Sequence, residues 1–170
     1  MPMDRSKSNV SNETQQLTKS FAAALRLLTR RDRSETELRQ KLQQFGFSLS
    51  AIDAAVAKCQ EYNYLDDNRY AIARARALLR TGRGVGRKIK LDLHRRGVSE
   101  AIVEHALETA EKEFPTDHIL REQLIHRFPS FDYFTADNRE KRRVIGFFQR
   151  RGFSLEQIFS IIKNQDCNID

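Results

Sequence analysis

The stretch IKLDLHRRGVS, residues 89–99, decides the fold of this chain. Ile89, Leu91 and Leu93 alternate with polar residues as they would in a β-strand, so the stretch by itself is ambiguous. The same apolar spacing before a Gly-apolar-Ser turn occurs 51 residues earlier and 55 residues later, where the flanking pattern is helical. We therefore expect a helix here that ends at a glycine in the left-handed conformation. The three turns are Gly46-Phe47-Ser48, Gly97-Val98-Ser99 and Gly152-Phe153-Ser154.

The repeated turn predicts that the chain is built from tandem units of one kind. In the first unit Phe21 and Leu28 share a helix face, and Ser34 with Glu37 has the spacing of a capping box that begins a second helix. We expect an all-α fold of three tandem three-helix repeats in an elongated arrangement, with each repeat packed on its neighbour. The expected boundaries are a disordered, Ser-, Asn- and Gln-rich arm over residues 1–18, repeats over residues 20–64, 66–113 and 115–165, and a tail over residues 166–170.

The composition favours a soluble protein with a modest core. The chain has 170 residues, of which 39% are hydrophobic and 31% are charged. No apolar run approaches the ~18 residues of a membrane span, and the first twenty residues lack the apolar region of a secretory signal. Cys59 and Cys167 lie far apart and predict two reduced thiols. We expect a cytoplasmic monomer.

Positive charge is concentrated in the middle of the chain. Residues 69–96 hold ten Lys or Arg and one acid, Asp92, although the whole chain has a formal net charge of +7. Such a field attracts a polyanionic or acidic partner and speeds the encounter with it. A solvated helical face is the alternative interpretation. The candidate contact residues are Arg69, Arg76, Arg80, Arg83, Arg87, Lys88 and Arg95, and the secondary candidates in the third repeat are Arg142, Arg143, Arg150 and Arg151.

Helical geometry sorts the central candidates into two basic stripes. On the first helix of the second repeat, the four candidates from Arg69 to Arg83 lie within about 60° of one another. On the second helix, Arg87, Lys88 and Arg95 share a face opposite Ile89. The segment between the two helices, residues 81–86, reads TGRGVG, and its three glycines predict a mobile connection that lets a partner approach the backbone.

The sequence offers no recognisable catalytic or nucleotide-binding motif. The glycine run lacks the Gly-Lys-Ser/Thr of a phosphate loop, and no strand precedes it as a dinucleotide fingerprint requires. The histidines have no metal-ligand spacing with each other or with a cysteine. Asp66 and Asp67 could hold a metal, but capping of the next helix explains them more simply. We expect no enzyme activity, no metal and no cofactor. The four histidines are His94, His105, His118 and His126.

Three short motifs resemble the bacterial RecX family over about residues 20–165. They are Arg33-Ser34-Glu35-x-Glu37-Leu38, then Tyr64-Leu65-Asp66-Asp67 followed by Arg69-Tyr70, then Gly84 before Ile89-x-x-x-Leu93-x-x-x-Gly97-Val98. The resemblance implies an all-helical protein of three three-helix repeats that regulates the recombinase RecA. It implies binding in the groove of the RecA nucleoprotein filament, with limits on filament growth, ATP hydrolysis, strand exchange and co-protease activity, and hence a role in DNA repair and the SOS response.

Two other functions remain open from the residues alone. One is a DNA-binding protein that acts without a recombinase, because each repeat contains a helix-Gly-apolar-Ser-helix corner like a helix-turn-helix. The third helices carry few Arg, Asn or Gln side chains toward base edges, so any such binding would be weak and independent of sequence. The other is a helical scaffold with no link to nucleic acid.

Overall fold

The structure is a computed structural model that describes residues 5–164, with their side chains from residue 13 onward. Within this range the chain forms nine helices and no strand, which confirms the all-α prediction. Ile89, Leu91 and Leu93 lie in a helix, as the repeat pattern predicted. The helices are α1 (Arg5–Arg30), α2 (Glu35–Gln44), α3 (Leu49–Glu61), α4 (Asp67–Arg80), α5 (Gly86–Arg95), α6 (Glu100–Glu113), α7 (Thr116–Arg127), α8 (Asn138–Gln149) and α9 (Leu155–Ile162).

The helices are divided between two compact units. The first unit contains α1, α2 and α3, the start of α4 up to Tyr70, and the turn Arg96–Ser99. The second contains the rest of α4 from Ala71 and helices α5 to α9. The elongated arrangement of the repeats stays a prediction, as do the repeat boundaries. The predicted tail and Cys167 lie outside the described residues.

The first unit is built around helices α1, α2 and α3. Leu38 and Leu42 of α2 are fully buried, and burial of a leucine side chain contributes about 1.5–3 kcal/mol. Cys59 of α3 is buried in the same core, and burial raises the pKa of its thiol, so it is a poor nucleophile. Ser20 is buried as well, and its hydroxyl donates to the carbonyl of Ala51 at 2.9 Å. This bond joins α1 to α3 where both helices enter the core.

The predicted disordered arm over residues 1–18 is wrong from Arg5 onward. Helix α1 begins at Arg5 and continues without interruption to Arg30. The segment contains neither proline nor glycine after Pro2, and adding residues to a helix that packing already holds costs little. A polar composition therefore did not stop the helix. Among the described side chains before Ser20, Leu17 is 39% exposed.

Side chains cap helices α2 and α4 as expected, and Asp67 contributes to the start of α2 and not to that of α4. Ser34 and Glu37 form the predicted capping box of α2. Asp66 accepts the backbone N–H of Arg69 at 3.0 Å and so caps α4. Asp67 instead accepts the N–H of Glu35 at 2.8 Å, and burial raises its pKa. The adjacent acids thus serve the starts of two different helices.

The carboxylate of Glu37 is the centre of a charged network in the first unit. Arg31 donates two bonds to it at 3.1 and 3.2 Å, and Arg96 donates one at 2.9 Å. The hydroxyl of Tyr70 lies 3.2 Å from the same group. Burial raises the pKa of Glu37, but the hydrogen bonds and charges of Arg31, Ser34 and Arg96 outweigh it and leave the pKa below its usual value. This carboxylate therefore holds the turn at Arg96 to helix α2.

Replacing Glu37 with glutamine is expected to destabilise the protein by about 2 kcal/mol at pH 7, because hydrogen bonds to a charged group contribute roughly 1.5–3 kcal/mol. Since the folded pKa is lowered, this stabilisation is present above the unfolded pKa of about 4.3 and is lost as the pH falls through the folded value. Urea unfolding at neutral and acidic pH measures the difference, which should shrink in acid. The exposed Glu61→Gln variant is the control, and a difference that is the same at both pH values would contradict the assignment.

The core of the second unit includes fully buried side chains of both α5 and α8. Ile89 and Leu93 of α5 are fully buried, as is Phe148 of α8. Phe148 contacts the rings of Phe147 and Phe153 with centroids 5.1 and 5.6 Å apart, in the edge-to-face geometry that aromatic pairs prefer. With Ile89 and Leu93 buried, α5 presents its opposite face, which includes Leu91, to solvent.

The segment between α4 and α5 differs from its prediction in two ways. Gly82 has a φ of +57°, its N–H bonds to the carbonyl of Leu79, and the N–H of Arg83 bonds to that of Leu78. This termination ends α4 at Arg80, so Arg83 lies in the turn and does not continue the basic stripe. The predicted mobile connection is packed, with Gly82, Gly84 and Val85 buried.

The glycines of the three repeated turns differ in how much space a side chain would have. All three have positive φ, with values of +82° at Gly46, +75° at Gly97 and +100° at Gly152. A Cβ on Gly46 would meet nothing within 4 Å, whereas one on Gly97 would lie 2.1 Å from the hydroxyl of Thr36 in α2. A Cβ on Gly152 would lie 2.2 Å from the backbone oxygen of Val85. The second and third turns are therefore seated against the helix start of the preceding repeat.

Candidate nucleic-acid and protein interface

The exposed face of α5 forms one wall of a basic groove. Opposite the buried Ile89 and Leu93, the side chains of α5 line a depression of about 410 Å³ together with residues at the end of α8. We call this the α5–α8 groove. It brings three central candidates together with one secondary candidate. Its lining residues are Arg87, Lys88, Leu91, Asp92, Arg95, Gln149, Arg150 and Gly152.

The groove depends on the turn at Gly152. The N–H of Val85 donates to the carbonyl of Arg151 at 2.8 Å, immediately before α5 begins. With no side chain, Gly152 can approach the backbone of Val85 and Lys88 closely. This contact places the end of α8 beside the start of α5. Arg150 and Arg87 are far apart in sequence and line one groove for this reason.

The positive charge of the groove is not neutralised by its own acid. Asp92 lines the groove, but its carboxylate is engaged by the guanidinium of Arg74 at 2.8 and 3.1 Å. Among residues 5–164, no ion pair involves the other charged residues of the lining. Those residues are Arg87, Lys88, Arg95 and Arg150.

Two of these bases lie where a helix disfavours them. Arg87 and Lys88 are in the first turn of α5, which contains no acid, and cations are unfavourable beside the positive end of a helix. Glu111 of α6 supplies the missing anion, since its carboxylate accepts the N–H of Gly86. Burial is the main cause that raises the pKa of Glu111. The charges of Arg87 and Lys88 are thus unfavourable beside the start of α5 and suit a bound anion.

A second concave surface of about 930 Å³ lies along α7 and the end of α4, and we call it the α4–α7 cleft. Three further predicted residues line this cleft, namely Arg80, Arg83 and Arg151. Arg127 lines it as well, although this residue was not among the predicted contacts. A basic residue in the last turn of a helix is sufficiently explained by the helix dipole, so nothing in the sequence distinguished it.

The remaining predicted residues are engaged elsewhere. Arg69 of the first unit donates to the carbonyl of Asn63 at 3.0 Å, and Arg76 forms an ion pair with Glu113. Arg142 donates to the carbonyl of Asn138 at 3.1 Å, and Arg143 stacks over the ring of Phe128 at 5.3 Å. Arg76, Arg142 and Arg143 line neither the groove nor the cleft. Three of the ten candidates in the second unit are therefore not part of either concave surface.

The described residues contain no group of three or more His, Cys, Asp or Glu side chains that could hold a metal ion. In the same part of the chain, no helix has the length and apolar character needed to cross a membrane. The α5–α8 groove offers guanidinium and ammonium groups for anions, whereas the lining of the α4–α7 cleft also includes Glu113 and Glu122.

Comparison with known proteins decides the family. Models of the first, second and third three-helix domains of RecX match residues 21–59, 66–107 and 116–162 in chain order. The chain belongs to the RecX family. The three matched domains confirm the tandem three-helix repeats that the repeated turns predicted.

Relatives in this family match along most of their length. "Regulatory protein RecX" of Syntrophotalea carbinolica is 40% identical over 148 residues, which are 87% of this chain and 97% of the relative. The proteins of the same name from Trichlorobacter lovleyi and Vibrio parahaemolyticus are 38% and 35% identical, over 81% and 86% of this chain. The matched residues are 90% and 92% of the length of those two relatives. These names describe regulatory proteins.

Solved structures share the fold. A crystal structure of RecX from Lactobacillus salivarius superposes with a TM-score of 0.75 at 24% identity, covering 90% of this chain and 98% of that one. A second crystal structure of regulatory protein RecX gives a TM-score of 0.78 at 19% identity, over 96% of this chain and 80% of that one. At these identities the likeness supports the all-α repeat fold of the RecX family.

Proposed function

We propose that this RecX-family protein binds the nucleoprotein filament of the recombinase RecA and inhibits its ATPase, strand-exchange and co-protease activities. The family membership supports RecA as the partner. The α5–α8 groove is the observation that carries the mode of binding, because its four bases have no acidic partner among the described residues. A RecA filament contains DNA, and RecA acts in the cytoplasm, so this is the compartment that the proposal requires.

The groove suits a phosphodiester backbone. Arg87, Lys88 and Arg95 follow one face of α5, and Arg150 faces them from the end of α8. Guanidinium and ammonium groups bind phosphate oxygens through charge-assisted hydrogen bonds that carry no base information. Neutralising four phosphates of a single strand gives a slope of roughly −3 in log affinity against log salt concentration. The expected binding to DNA is therefore weak, sensitive to salt and independent of sequence.

Inhibition by this protein needs no chemistry. A chain of three helical repeats that contacts DNA phosphates and the recombinase together would obstruct subunit addition and the motions that accompany ATP hydrolysis. The proposed actor is a monomer, because one chain already carries the whole groove.

The second candidate is a DNA-binding protein that acts without a recombinase. The same four bases favour it, since they would bind the phosphates of any nucleic acid. The two functions differ in what they require. Filament regulation needs a contact with RecA itself, whereas simple DNA binding inhibits RecA only by competing for the strand.

The ATPase of RecA on single-stranded DNA, titrated with the wild-type protein, tests the proposal. We expect inhibition at less than one protein per RecA subunit. This inhibition should persist when free duplex DNA is added, because the added DNA would capture a protein that binds DNA alone. Full relief of inhibition by that competitor would favour the second candidate. Unchanged ATPase activity over a several-fold molar excess would refute filament regulation. Co-sedimentation with RecA in the absence of DNA measures the protein contact directly.

A further inference from the structure

The two junctions between successive repeats contain a hydrogen bond at equivalent positions. In the first unit the hydroxyl of Ser34, the N-cap of α2, donates to the carbonyl of Arg96. In the second unit the N–H of Val85, which directly precedes α5, donates to the carbonyl of Arg151 at 2.8 Å. Val85 stands 51 residues after Ser34, and both arginines directly precede the glycine of their turn. In each junction, therefore, the carbonyl of a turn accepts from a donor at the helix start of the preceding repeat.

The side chains beside the glycine are covered in the second and third turns. Arg96 donates to the carboxylate of Glu37 in the preceding repeat at 2.9 Å. Arg151 lines the α4–α7 cleft, which the end of the preceding repeat's first helix also lines. The apolar residues after the two glycines, Val98 and Phe153, are only 3% and 4% exposed. Both of these turns thus carry out a repeat-to-repeat contact.

The turn of the first repeat has no preceding repeat to cover it. Phe45 stands where the other two turns have arginine, and its side chain is 58% exposed. Phe47, which corresponds to the buried apolar residues of the other turns, is only partly buried. Leu49 at the start of α3 is 73% exposed. We call residues 45–49 the open first turn. It has the backbone of the junction turns and lacks their cover.

The chemistry of the open first turn favours a protein as its occupant. Residues 42–52 contain no charged side chain, in a chain of which 31% of the residues are charged. A phosphate backbone would find no cation there, whereas an exposed aromatic side chain beside an exposed leucine is typical of the centre of a protein interface. By analogy with the two junctions, the group that fits against the turn carbonyl is the start of a helix.

A second copy of this chain does not offer that helix start. In the third repeat the residue equivalent to Ser34 and Val85 is Glu140. Helix α8 already begins at Asn138, so Glu140 lies inside the helix, and its N–H bonds to the carboxylate of Asp137 at 2.7 Å. The donor that holds the other turns is therefore occupied by a cap, as in the terminal units of many repeat proteins.

From these observations we propose that the open first turn binds the start of a helix in a partner protein, which is RecA under the proposed function. The inference rests on that function and names a surface for its protein contact. The carbonyl of Phe45 accepts an N–H or hydroxyl group of the partner, as the carbonyls of Arg96 and Arg151 do within the chain. The ring of Phe45 packs on an apolar side chain of the partner. None of residues 45–49 lines the α5–α8 groove, so RecA and phosphates contact different residues.

Binding of the full-length protein to RecA without DNA tests the open first turn. Phe45→Arg copies the residue of the other two turns, and it is expected to weaken this binding by about tenfold or more, because aromatic anchors dominate the affinity of protein interfaces. Phe45→Ala removes the ring without adding charge and should weaken binding in the same direction. Phe134→Arg is the matched control, since Phe134 is a 68% exposed phenylalanine of the second unit. Circular dichroism and binding to single-stranded DNA should be unchanged in Phe45→Ala.

The outcomes separate this inference from the proposed function. If the wild-type protein binds RecA and Phe45→Arg binds it equally well, or if Phe45→Arg and Phe134→Arg lose equal affinity, the open first turn is not the contact, while filament regulation stands. Absence of RecA binding by the wild-type protein, together with unchanged RecA ATPase activity, would refute both. A wild-type dimer that Phe45→Ala dissociates would assign the turn to a second copy, and loss of DNA binding in Phe45→Ala would assign it to nucleic acid. Either of these results overturns the inference.

Discussion

Replacing Arg87 and Lys88 with glutamate is expected to raise the concentration for half-maximal inhibition of the RecA ATPase by about tenfold or more. A charge-assisted hydrogen bond contributes roughly 1.5–3 kcal/mol, and about 1.4 kcal/mol corresponds to a factor of ten, so the loss of one phosphate contact already has this effect. The stability of the folded protein should move in the opposite direction. Acids in the first turn of α5 interact favourably with the helix dipole, by about 0.3–1 kcal/mol each.

Inhibition and folding stability are expected to change in opposite directions, so the two effects can be separated by experiment. Loss of inhibition together with an unchanged or raised melting temperature excludes unfolding as the cause. The matched control is Arg121→Glu with Arg139→Glu, two exposed bases of the second unit that line neither concave surface, one of them in the first turn of α8. An equal loss of inhibition in this control would show that net charge and not the α5–α8 groove is responsible. Full inhibition by the Arg87 and Lys88 variant would place the contact elsewhere.

The Gly152→Ala substitution is expected to destabilise the protein by about 3 kcal/mol or more. A Cβ in the left-handed region costs about 1–2 kcal/mol at any site. At Gly152 it would also lie 2.2 Å from the oxygen of Val85 and 2.9 Å from the nitrogen of Lys88, both backbone atoms that no rotamer change can move. The hydrogen bond from Val85 to the carbonyl of Arg151 would be strained with them.

The three turns supply their own controls. Gly46→Ala should cost only the conformational term of about 1–2 kcal/mol, because nothing lies within 4 Å of a Cβ there. Gly97→Ala should cost more than Gly46→Ala, since its Cβ would overlap the side chain of Thr36. Urea unfolding of the three variants under one set of conditions gives the order. Equal losses at Gly46 and Gly152 would mean that the close contact contributes nothing.

The fold could be predicted because the same apolar spacing before a Gly-apolar-Ser turn occurs three times in the sequence. The strand-like alternation of Ile89, Leu91 and Leu93 misleads when taken alone, and the other two copies correct it. The helix phase then placed Arg87, Lys88 and Arg95 on one exposed face, and all three line the groove. Periodicity fixes which residues share a helix face, so it succeeds for groups within a single helix.

What could not be predicted depends on contacts distant in sequence. Arg150 joins the groove through the bond between Val85 and Arg151, and no local pattern shows that contact. Arg83 was assigned to the stripe on α4, but the glycine that follows Thr81 ends the helix first. The arm before residue 18 was judged by its composition, whereas helix α1 extends cooperatively from its packed half. The contact residues themselves stay a prediction until the variants are measured.

The unequal surroundings of the three turn glycines have an evolutionary consequence. Gly46 is required only for its backbone angle, and asparagine adopts positive φ more readily than most other residues that carry a side chain. Gly97 and Gly152 are required for their angle and also for the absence of a side chain. Selection should therefore let the first turn drift to asparagine while it retains glycine at the other two. A chain that duplicated one repeat would place the same double constraint on each new internal turn, and its first turn alone would remain free to vary.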